Sequence, residues 1–490
     1  MVFLQIIMLD KKKQMERRRS KMKMMARIFF VLFFFGIAKS YGQDLGNDFN
    51  KEELTYREFL GYVKKYHPMV KQANLEVSEA QAALMAARGG FDPKIEVDYN
   101  KKEFKGTEYY SLLNSSFKIP TWYGIEVKAG FDDTDGSYFN PQNRTPEAGL
   151  TSLGISVPLG QGLFINQRMA DVRSGKLQVT LSEAERKLRA IEVLYKASEA
   201  YFEWRRSFNE AVLYNRYLGF ASTRFEGIKK LIELGDSPAI DSVEARITVR
   251  NRELNVENGN LKLAKAALNL ANYLWIENVP VELNATIKPE ENLMETLAET
   301  LNTDSAFFDG QSLGSHPKMT ALETKLSILE INRKLKANLL LPKVNVGYNY
   351  ISEPAYFDTF NADDYKFNID FSFPIFLRKE RGNLKIAKLK IQDLKFDIEQ
   401  QRLELGNKIK AQQTEILSLK KQKSVIDNLV QDYMTMLDSE ERLFSFGESS
   451  IFLINSRENN LVSAKLSQIS IENQYYISNA QLYRILANPD

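Results

Sequence analysis

Two stretches of the sequence match each other closely: residues 93–100 read PKIEVDYN and residues 342–349 read PKVNVGYN. Upstream, His67-Pro68 and His316-Pro317 lie at the same spacing from them. Two later motifs recur in the same order: Val157-Pro158-Leu159 as Phe373-Pro374-Ile375, and Gly235-Asp236-Ser237 as Gly447-Glu448-Ser449. Self-similarity of this kind indicates an internal duplication. Each half is predicted to run from a helix through strands to a long helix, a tight break and a second long helix.

Apolar and polar residues alternate from these stretches onward, which predicts strands with one apolar face. We place the strands at 94–157 in the first half and at 343–374 in the second. The apolar alternates are Ile95, Val97 and Tyr99; Ile125, Val127, Ala129 and Phe131; Leu153, Ile155 and Val157; Val344, Val346, Tyr348 and Tyr350; and Phe367, Ile369, Phe371 and Phe373. A half-buried antiparallel sheet and an outer-membrane barrel both produce this pattern.

Long heptad repeats follow the strands, over 164–275 and 380–487. The series are Leu177, Ala184 and Ile191 with Leu181, Leu188 and Tyr195; Ile247, Leu254, Leu261, Leu268 and Trp275; Leu384, Ile391, Ile398 and Leu405; and Ile454, Leu461, Tyr475 and Leu482. Heptads sustained over such lengths predict helices that pack side by side as coiled coils. The stretch from Phe164 to Leu234 alone would form a rod of roughly 100 Å.

Glycine and proline mark the ends of these elements. Gly235 and Gly447 interrupt the long helices, and the polar residues after them are expected to start the next helix, so that each pair forms a hairpin. Pro158 and Pro374 end the last strand of each half, because proline cannot donate to a strand ladder but suits a helix start. Both prolines are therefore predicted strand-to-helix junctions.

The N-terminal segment, residues 1–42, is predicted to be a secretory signal peptide. A basic stretch precedes an apolar run from Ile28 to Ala38 that is too short to span a membrane as a helix. Residues 1–21 are interpreted as an upstream extension from a misassigned start codon. The remaining chain is predicted to comprise a first repeat over 43–275, an equatorial linker region over 276–315 and a second repeat over 316–490.

Composition argues against several kinds of chemistry. The 490 residues include no cysteine and two histidines, which excludes thiolate chemistry and argues against a zinc site. The net charge of +3 gives no indication of nucleic-acid binding. Gly310 to Gly314 matches the nucleophile pattern G-x-S-x-G beside His316, but its flanks lack the strand and packed helix that such an elbow needs. The acidic stretch 132–136 misses the spacing of a calcium loop and is interpreted as a solvated loop. No enzyme activity and no cofactor is predicted.

The ordered duplication, from about Leu54 to Ala487, resembles the TolC-like outer-membrane efflux proteins. The resemblance implies a mixed, mainly α fold, in which long coiled-coil hairpins form a periplasmic α-barrel. It also implies a homotrimer, in which each chain gives four antiparallel strands to a shared transmembrane β-barrel of twelve. The implied function is a passive duct in the outer membrane of a Gram-negative bacterium, for tripartite efflux or type I secretion. Its implied partners are a periplasmic adaptor (membrane fusion) protein and an inner-membrane pump.

In this family, acidic residues just past the glycine tips line the periplasmic aperture. Asp241 and Glu244 stand at the matching positions of the first half, whereas the second half has Leu453 and Ser456, where the best-known family member carries aspartates. A gating ring of carboxylates and ordinary surface charges are both open interpretations of this pair. The tip residues at which an adaptor would dock are Gly235, Asp236, Ser237, Gly447, Glu448 and Ser449.

A second departure from the family is the stretch from Tyr109 to Phe131, which adds an apparent strand pair to the first half only. These strands could enlarge the barrel or stay outside it as an extracellular hairpin. The alternative to a channel is a non-conducting trimeric coiled-coil stalk or adhesin of the cell envelope. Two hairpin reversals and strands in both halves favour the channel.

Overall fold

The computed structural model describes residues 52–284, 286–301 and 312–487, so the predicted signal peptide lies outside the described residues. None of the described helices is both long and apolar enough to cross a membrane. The α-helices of the described residues are α1 (Tyr56–Tyr66), α2 (Pro68–Arg88), α3 (Gln167–Glu233), α4 (Ala239–Ala271), α5 (Leu293–Leu301), α6 (Pro317–Asn338), α7 (Arg378–Ser445) and α8 (Ile451–Leu486).

Two of these helices are rods. Helix α3 has 67 residues and α7 has 68, which corresponds to about 100 Å each. Predicted heptad positions are buried in both rods: Ile191 in α3, and Ile391 and Ile398 in α7. The long-helix prediction is confirmed within a few residues at each end.

The long helices pack side by side. Next to the strands the order of neighbours is α2–α3–α6–α7, and towards the hairpin tips it is α4–α3–α8–α7. Helices α2 and α4 therefore lie at one edge of this layer, and α7 lies at the other. The heptad positions of α4 behave differently from the rest, because Leu254 and Leu261 are 62% and 55% exposed instead of packing within the chain.

Short elements pack against the middle of α3. Strand Glu53–Leu54 runs parallel to Lys288–Pro289, and Trp275–Ile276 pairs with Val279–Pro280. The Tyr201 hydroxyl of α3 donates to the Leu54 carbonyl at 2.7 Å and holds this region to the rod. Val279–Pro280 and Lys288–Pro289 lie in the predicted equatorial region, of which residues 285 and 302–311 are outside the described part, whereas Glu53–Leu54 and Trp275 lie in the predicted first repeat.

The other described strands form one six-stranded antiparallel sheet with the order β6-β5-β4-β3-β2-β1. Its strands are β1 (Lys94–Phe104), β2 (Thr107–Pro120), β3 (Glu126–Asp135), β4 (Leu150–Pro158), β5 (Lys343–Ser352) and β6 (Tyr365–Ser372). The interpretation of the acidic stretch as a loop is wrong for 132–135, because these residues pair with β2 up to the Ser111–Asp135 position. The second half has the element order α6-β5-β6-α7-α8. The first half has the corresponding order α2-β1-β4-α3-α4, with β2 and β3 inserted between β1 and β4.

Candidate functional site

Both long rods end in the same turn at the predicted glycine. The glycine and the residue after it donate backbone hydrogen bonds in the Schellman pattern: Gly235 to Ile232 at 3.0 Å, Asp236 to Leu231 at 2.8 Å, Gly447 to Phe444 at 3.0 Å and Glu448 to Leu443 at 2.9 Å. Gly235 has φ +84° and Gly447 has φ +78°, a region that glycine adopts without a Cβ penalty. The hairpin tips therefore lie where the sequence predicts them.

The helices after the tips start later than predicted. Their N-cap residues are Pro238 and Ser450, and Ser450 Oγ accepts a hydrogen bond from the Leu453 amide. The residues directly after the glycines are instead the last residues of the Schellman turns, since the Asp236 and Glu448 amides donate to the preceding helix. Each reversal consequently needs a few more residues.

Side chains brace the second tip. Ser449 Oγ donates to the Glu440 carboxylate of α7, and Arg457 Nε of α8 lies 3.3 Å from the other Glu440 oxygen. The Ser449 hydrogen bond, together with the Arg457 charge, holds the pKa of Glu440 below its usual range. Ser449 is therefore bound to the end of one helix while Arg457 ties the same carboxylate to the next.

The two predicted aperture carboxylates lie at the start of α4. Asp241 is in the first turn, where a carboxylate interacts favourably with the helix dipole, and it is half-buried. Glu244 Oε1 accepts a hydrogen bond from Asn455 Nδ2 of α8 at 3.4 Å. Through Asn455, Glu244 is thus linked to the helix that carries Leu453 and Ser456.

A buried ionic cluster, which the sequence does not predict, lies beyond these residues. Glu458 of α8 is 1% exposed, and its two oxygens lie 2.8 Å from Arg224 Nη2 of α3 and 3.0 Å from Arg252 Nη2 of α4. Arg224 also donates to Asn455 Oδ1 at 3.3 Å, which joins the cluster to Glu244. Because a charge buried without a partner is costly, this carboxylate and its guanidinium groups fix the relative position of three helices.

Weak signals for this cluster exist in the sequence. Glu458 lies four residues after Ile454, and Arg252 lies two residues before Leu254, so both flank predicted heptad seams. Many charged residues flank the seams of coiled coils without being buried. The pattern alone therefore could not single out these two.

The two prolines mark the predicted junctions between the sheet and the rods. Pro158 is the last residue of β4 and is buried, whereas Pro374 is exposed and lies between β6 and α7. Beside Pro158, Asn166 caps α3: its Oδ1 accepts from the Met169 amide at 2.8 Å, and its Nδ2 donates to the Trp122 carbonyl at 2.9 Å. Asn166 therefore ties the turn between β2 and β3 to the start of the rod.

The register of the sheet separates an apolar from a polar face. One row across all strands contains only apolar residues: Ile95, Phe117, Ala129, Leu153, Tyr350 and Tyr365. A row of the opposite face contains only polar residues and glycine: Lys94, Lys118, Lys128, Gly154, Asn349 and Lys366. On the apolar face Ile95 is 77% exposed and Phe117 41% exposed. An exposed apolar patch that extends across a whole sheet marks a surface that contacts lipid or another protein.

The two histidines occupy equivalent places at helix starts. His67 Nδ1 accepts from the Met69 amide at 3.3 Å, and His316 Nδ1 accepts from the Lys318 amide at 3.1 Å. His316 Nε2 donates to the Ile485 carbonyl at 2.8 Å. Burial lowers the pKa of both imidazoles. Both nitrogens of His316 are thus engaged in helix contacts, and Ser312 lies in a 3₁₀ turn; residues 310 and 311 are outside the described part.

Comparison with known proteins agrees with this architecture. Residues 310–488 match the family model described as outer membrane efflux protein. No curated protein matches the chain in sequence. The family that matches is one of outer-membrane proteins, which confirms the location predicted from the sequence.

Solved outer-membrane channels share the fold. A crystal structure of CusC, reported with conformational changes that accompany folding and transmembrane channel formation, superposes with a TM-score of 0.64 at 15% identity, over 87% of this chain and 91% of that one. The Campylobacter jejuni CmeC outer membrane channel gives 0.60 at 13% identity, over 88% and 85%. The open state of the Neisseria gonorrhoeae MtrE channel gives 0.61 at 14% identity, over 88% of each chain. The resemblance to the TolC-like outer-membrane efflux proteins is thus confirmed, by sequence over the second half of the chain and by fold over most of its length.

Proposed function

We propose that three copies of this chain form a passive outer-membrane duct for efflux or type I secretion. The first repeat (43–275) and the second (316–490) each supply strands to a shared barrel and a helical hairpin to a periplasmic tunnel, with 276–315 at the equator. A periplasmic adaptor docks at the hairpin tips, and an inner-membrane pump supplies the energy. The observation that carries this proposal is that both edges of the chain lack a partner, each with exposed apolar residues along its helices and a strand that is paired on one side only.

The helical layer has an apolar seam along each edge. On the edge formed by α2 and α4, Leu75 and Leu261 are 68% and 55% exposed. On the α7 edge, Phe396 and Val425 are 71% and 67% exposed. Apolar heptad positions in water are unfavourable unless another helix covers them. Two edges that each lack a partner support head-to-tail association, which closes into a ring when the rotation permits.

The seams also match in height. Counted from the hairpin tip, Leu261 lies about 33 Å along α4 and Val425 about 30 Å along α7. Counted from the sheet, Leu75 lies about 20 Å along α2, between Leu389 and Phe396 at about 16 and 27 Å along α7. An α7 helix of one chain can therefore cover α2 and α4 of its neighbour along their full length.

The sheet leads to the same arrangement. Strands β1 and β6 are its two edges, and each has a partner on one side only. Their side chains alternate between the apolar and the polar face of the sheet, and the apolar residues of both strands, such as Val97 and Phe371, are exposed. In a bilayer an edge with unpaired N–H and C=O groups is not tolerated. Pairing of β1 with β6 of the next chain removes both edges, and it is antiparallel because the strands alternate in direction across the sheet.

Aromatic residues at both ends of the sheet support a lipid-facing position. Near the rods, Phe91 stacks on Trp122 with ring centroids 5.3 Å apart. At the opposite end, Tyr109 lies 5.0 Å from Tyr138, and Phe360 is 71% exposed. Outer-membrane barrels carry aromatic girdles at both interfaces.

The tips would form the periplasmic aperture. In a trimer Asp241 and Glu244 would contribute six carboxylates near the mouth, which favours cations and gives mutual repulsion. In this chain Leu453 and Ser456 replace the second acidic pair. We propose that adaptor contacts involve the exposed tip residues Asp236 and Glu448 together with Ser237 and Ser449.

Disulfide trapping tests the arrangement, because the chain has no cysteine of its own. The double variant Leu261→Cys with Val425→Cys should form covalent trimers under mild oxidation, with a ladder on denaturing gels that stops at three. Each single variant should remain monomeric on the same gel. Leu261→Cys with Leu389→Cys is the matched control, since both residues are exposed but lie at different heights. Monomers only, or a ladder that continues past three, would contradict the closed trimer.

A further inference from the structure

We infer that each chain contributes six strands, not four, to the shared barrel, so that β2 and β3 form part of the wall. This inference rests on the proposed trimer and deepens it. It replaces the twelve-stranded barrel that the family resemblance implies with one of eighteen strands.

Strands β2 and β3 are inserted between β1 and β4 with full pairing. Ten consecutive residue pairs join β2 to β3, from Ser111–Asp135 to Pro120–Glu126. Strand β3 then pairs with β4 from Glu126–Ser156 to Asp132–Leu150. Strand β1 pairs only with β2 and does not pair with β4. If the added strands left the sheet, β1 would lose its only partner. A hairpin outside the membrane would require this sheet to separate.

In the half nearer the rods, the added strands continue the apolar face of the sheet. Phe117 lies between Ile95 and Ala129 in the apolar row, and Ile119 lies opposite Val127. On the other face, Ser116 lies opposite Glu96 and Gly130. An extracellular hairpin in water has no need of an apolar face that continues across its neighbours.

The turn between β2 and β3 is fixed at the level of the junction with the rods. Asn166 binds the Trp122 carbonyl while it caps α3, and the Arg173 guanidinium of α3 lies 5.6 Å from the Trp122 ring centroid. Gly124 has φ +76°, and a Cβ there would lie 3.0 Å from the Gly162 carbonyl and from the Pro158 side chain. The turn between β2 and β3 therefore lies at the depth where β4 ends.

Strand number sets the size of a barrel, because its diameter grows roughly linearly with the number of strands. Three chains with six strands each would give a diameter about one and a half times that of a twelve-stranded barrel. Barrels of sixteen to eighteen strands leave an open aqueous channel. The narrowest point of the duct would then lie at the helical tips and not in the membrane.

Site-directed spin labelling of the trimer in phosphatidylcholine vesicles tests this inference. Labels are placed singly at Phe117→Cys and at its neighbour Ser116→Cys on β2. Phe367→Cys and Asn368→Cys on β6 provide the matched benchmark. We expect the label at 117 to collide mainly with oxygen, which dissolves in lipid, and the label at 116 mainly with a water-soluble nickel chelate. For each label we take the ratio of oxygen collisions to nickel-chelate collisions. The factor by which this ratio differs between positions 117 and 116 should equal the factor between 367 and 368 within about twofold.

The outcomes separate the inference from the proposed function. If the labels at 116 and 117 are both open to the nickel chelate while those at 367 and 368 still alternate, β2 lies outside the membrane and the barrel has four strands per chain. The duct would survive that result. If 367 and 368 also fail to alternate, the sheet does not line a membrane pore and the proposed function itself is wrong.

Discussion

Arg252 of α4 and Glu458 of α8 form a buried ion pair, with Nη2 3.0 Å from Oε1 and with side chains that are 7% and 1% exposed. Arg224 of α3 lies 2.8 Å from the second Glu458 oxygen. One carboxylate therefore joins three helices, and each hairpin contributes to the contact. The two hairpins are held together above the tips, close to Glu244.

Replacement of Glu458 should destabilise the fold strongly. Glu458→Ala leaves two guanidinium groups without their buried partner, which typically costs about 3–5 kcal/mol. Glu253→Ala is the control, since Glu253 pairs with Arg250 at 2.8 Å with both side chains well exposed, and such pairs contribute at most about 1 kcal/mol. Urea unfolding of the detergent-solubilised protein, followed by circular dichroism, measures both. Equal effects of the two variants would show that the cluster is not desolvated as described.

The tip glycines should resist replacement for a conformational reason. Nothing lies within 4 Å of a Cβ built on Gly235 or Gly447, so Gly235→Ala meets no clash. Its positive φ should nevertheless cost about 1–2 kcal/mol. Gly227→Ala is the matched control, because Gly227 is helical and equally uncrowded, and alanine should stabilise it by about 0.5–1 kcal/mol. Thermal unfolding should move in opposite directions for the two variants; a shift in the same direction would contradict the left-handed turn.

The histidines predict a weak dependence of stability on pH. Burial lowers the pKa of His67 and of His316, so the fold prefers the neutral form. The unfolded state then binds more protons, and stability is complete above about pH 6.5 and falls as the pH decreases through the folded-state pKa. The double variant His67→Asn with His316→Asn keeps acceptors at both N-caps and removes the titration. Its melting temperature should change less between pH 7.5 and 5.5 than that of the parent protein. Identical slopes would assign the dependence to other groups.

Asn166 should show two separable roles. Asn166→Ala loses both the α3 cap and the bond to Trp122, and the lost cap alone costs about 1 kcal/mol. Asn166→Asp keeps an acceptor for the Met169 amide but cannot donate to the Trp122 carbonyl. Limited proteolysis at the 121–125 turn should therefore be faster in both variants, while the melting temperature should fall further for alanine. Unchanged proteolysis in the aspartate variant would show that the turn does not depend on this bond.

The elements could be predicted because their signals are local. Period two predicts β1, β3, β4, β5 and β6, and heptads predict α3 and α7, in each case from residues that are close in sequence. The placement of β2 and β3 could not be predicted, since a hairpin that joins the sheet and one that leaves it share the same alternation. The structure decides between them only through pairing with β1 and β4.

The site was predictable only in part. Gly235 and Gly447 can be recognised in the sequence because glycine suits a left-handed turn. The N-caps Pro238 and Ser450 each lie beyond the Schellman turn, and the hydrogen bonds of that turn are not visible in the sequence. Arg252 and Glu458 lie far apart in the chain and meet through helix packing. In α4 the heptad pattern is present but its partner is not. The pattern predicts a partner helix, yet within the described chain its leucines are exposed.

Single-channel recording tests the central claim most directly. The double variant Leu261→Cys with Val425→Cys, purified as a disulfide-linked trimer and added to a planar lipid bilayer, should insert and give discrete, uniform conductance steps. The carboxylate pair Asp241 and Glu244 should make those steps cation-selective, and Asp241→Asn with Glu244→Gln should reduce the selectivity. A trimer that inserts stably but passes no current would contradict the duct and favour a coiled-coil stalk.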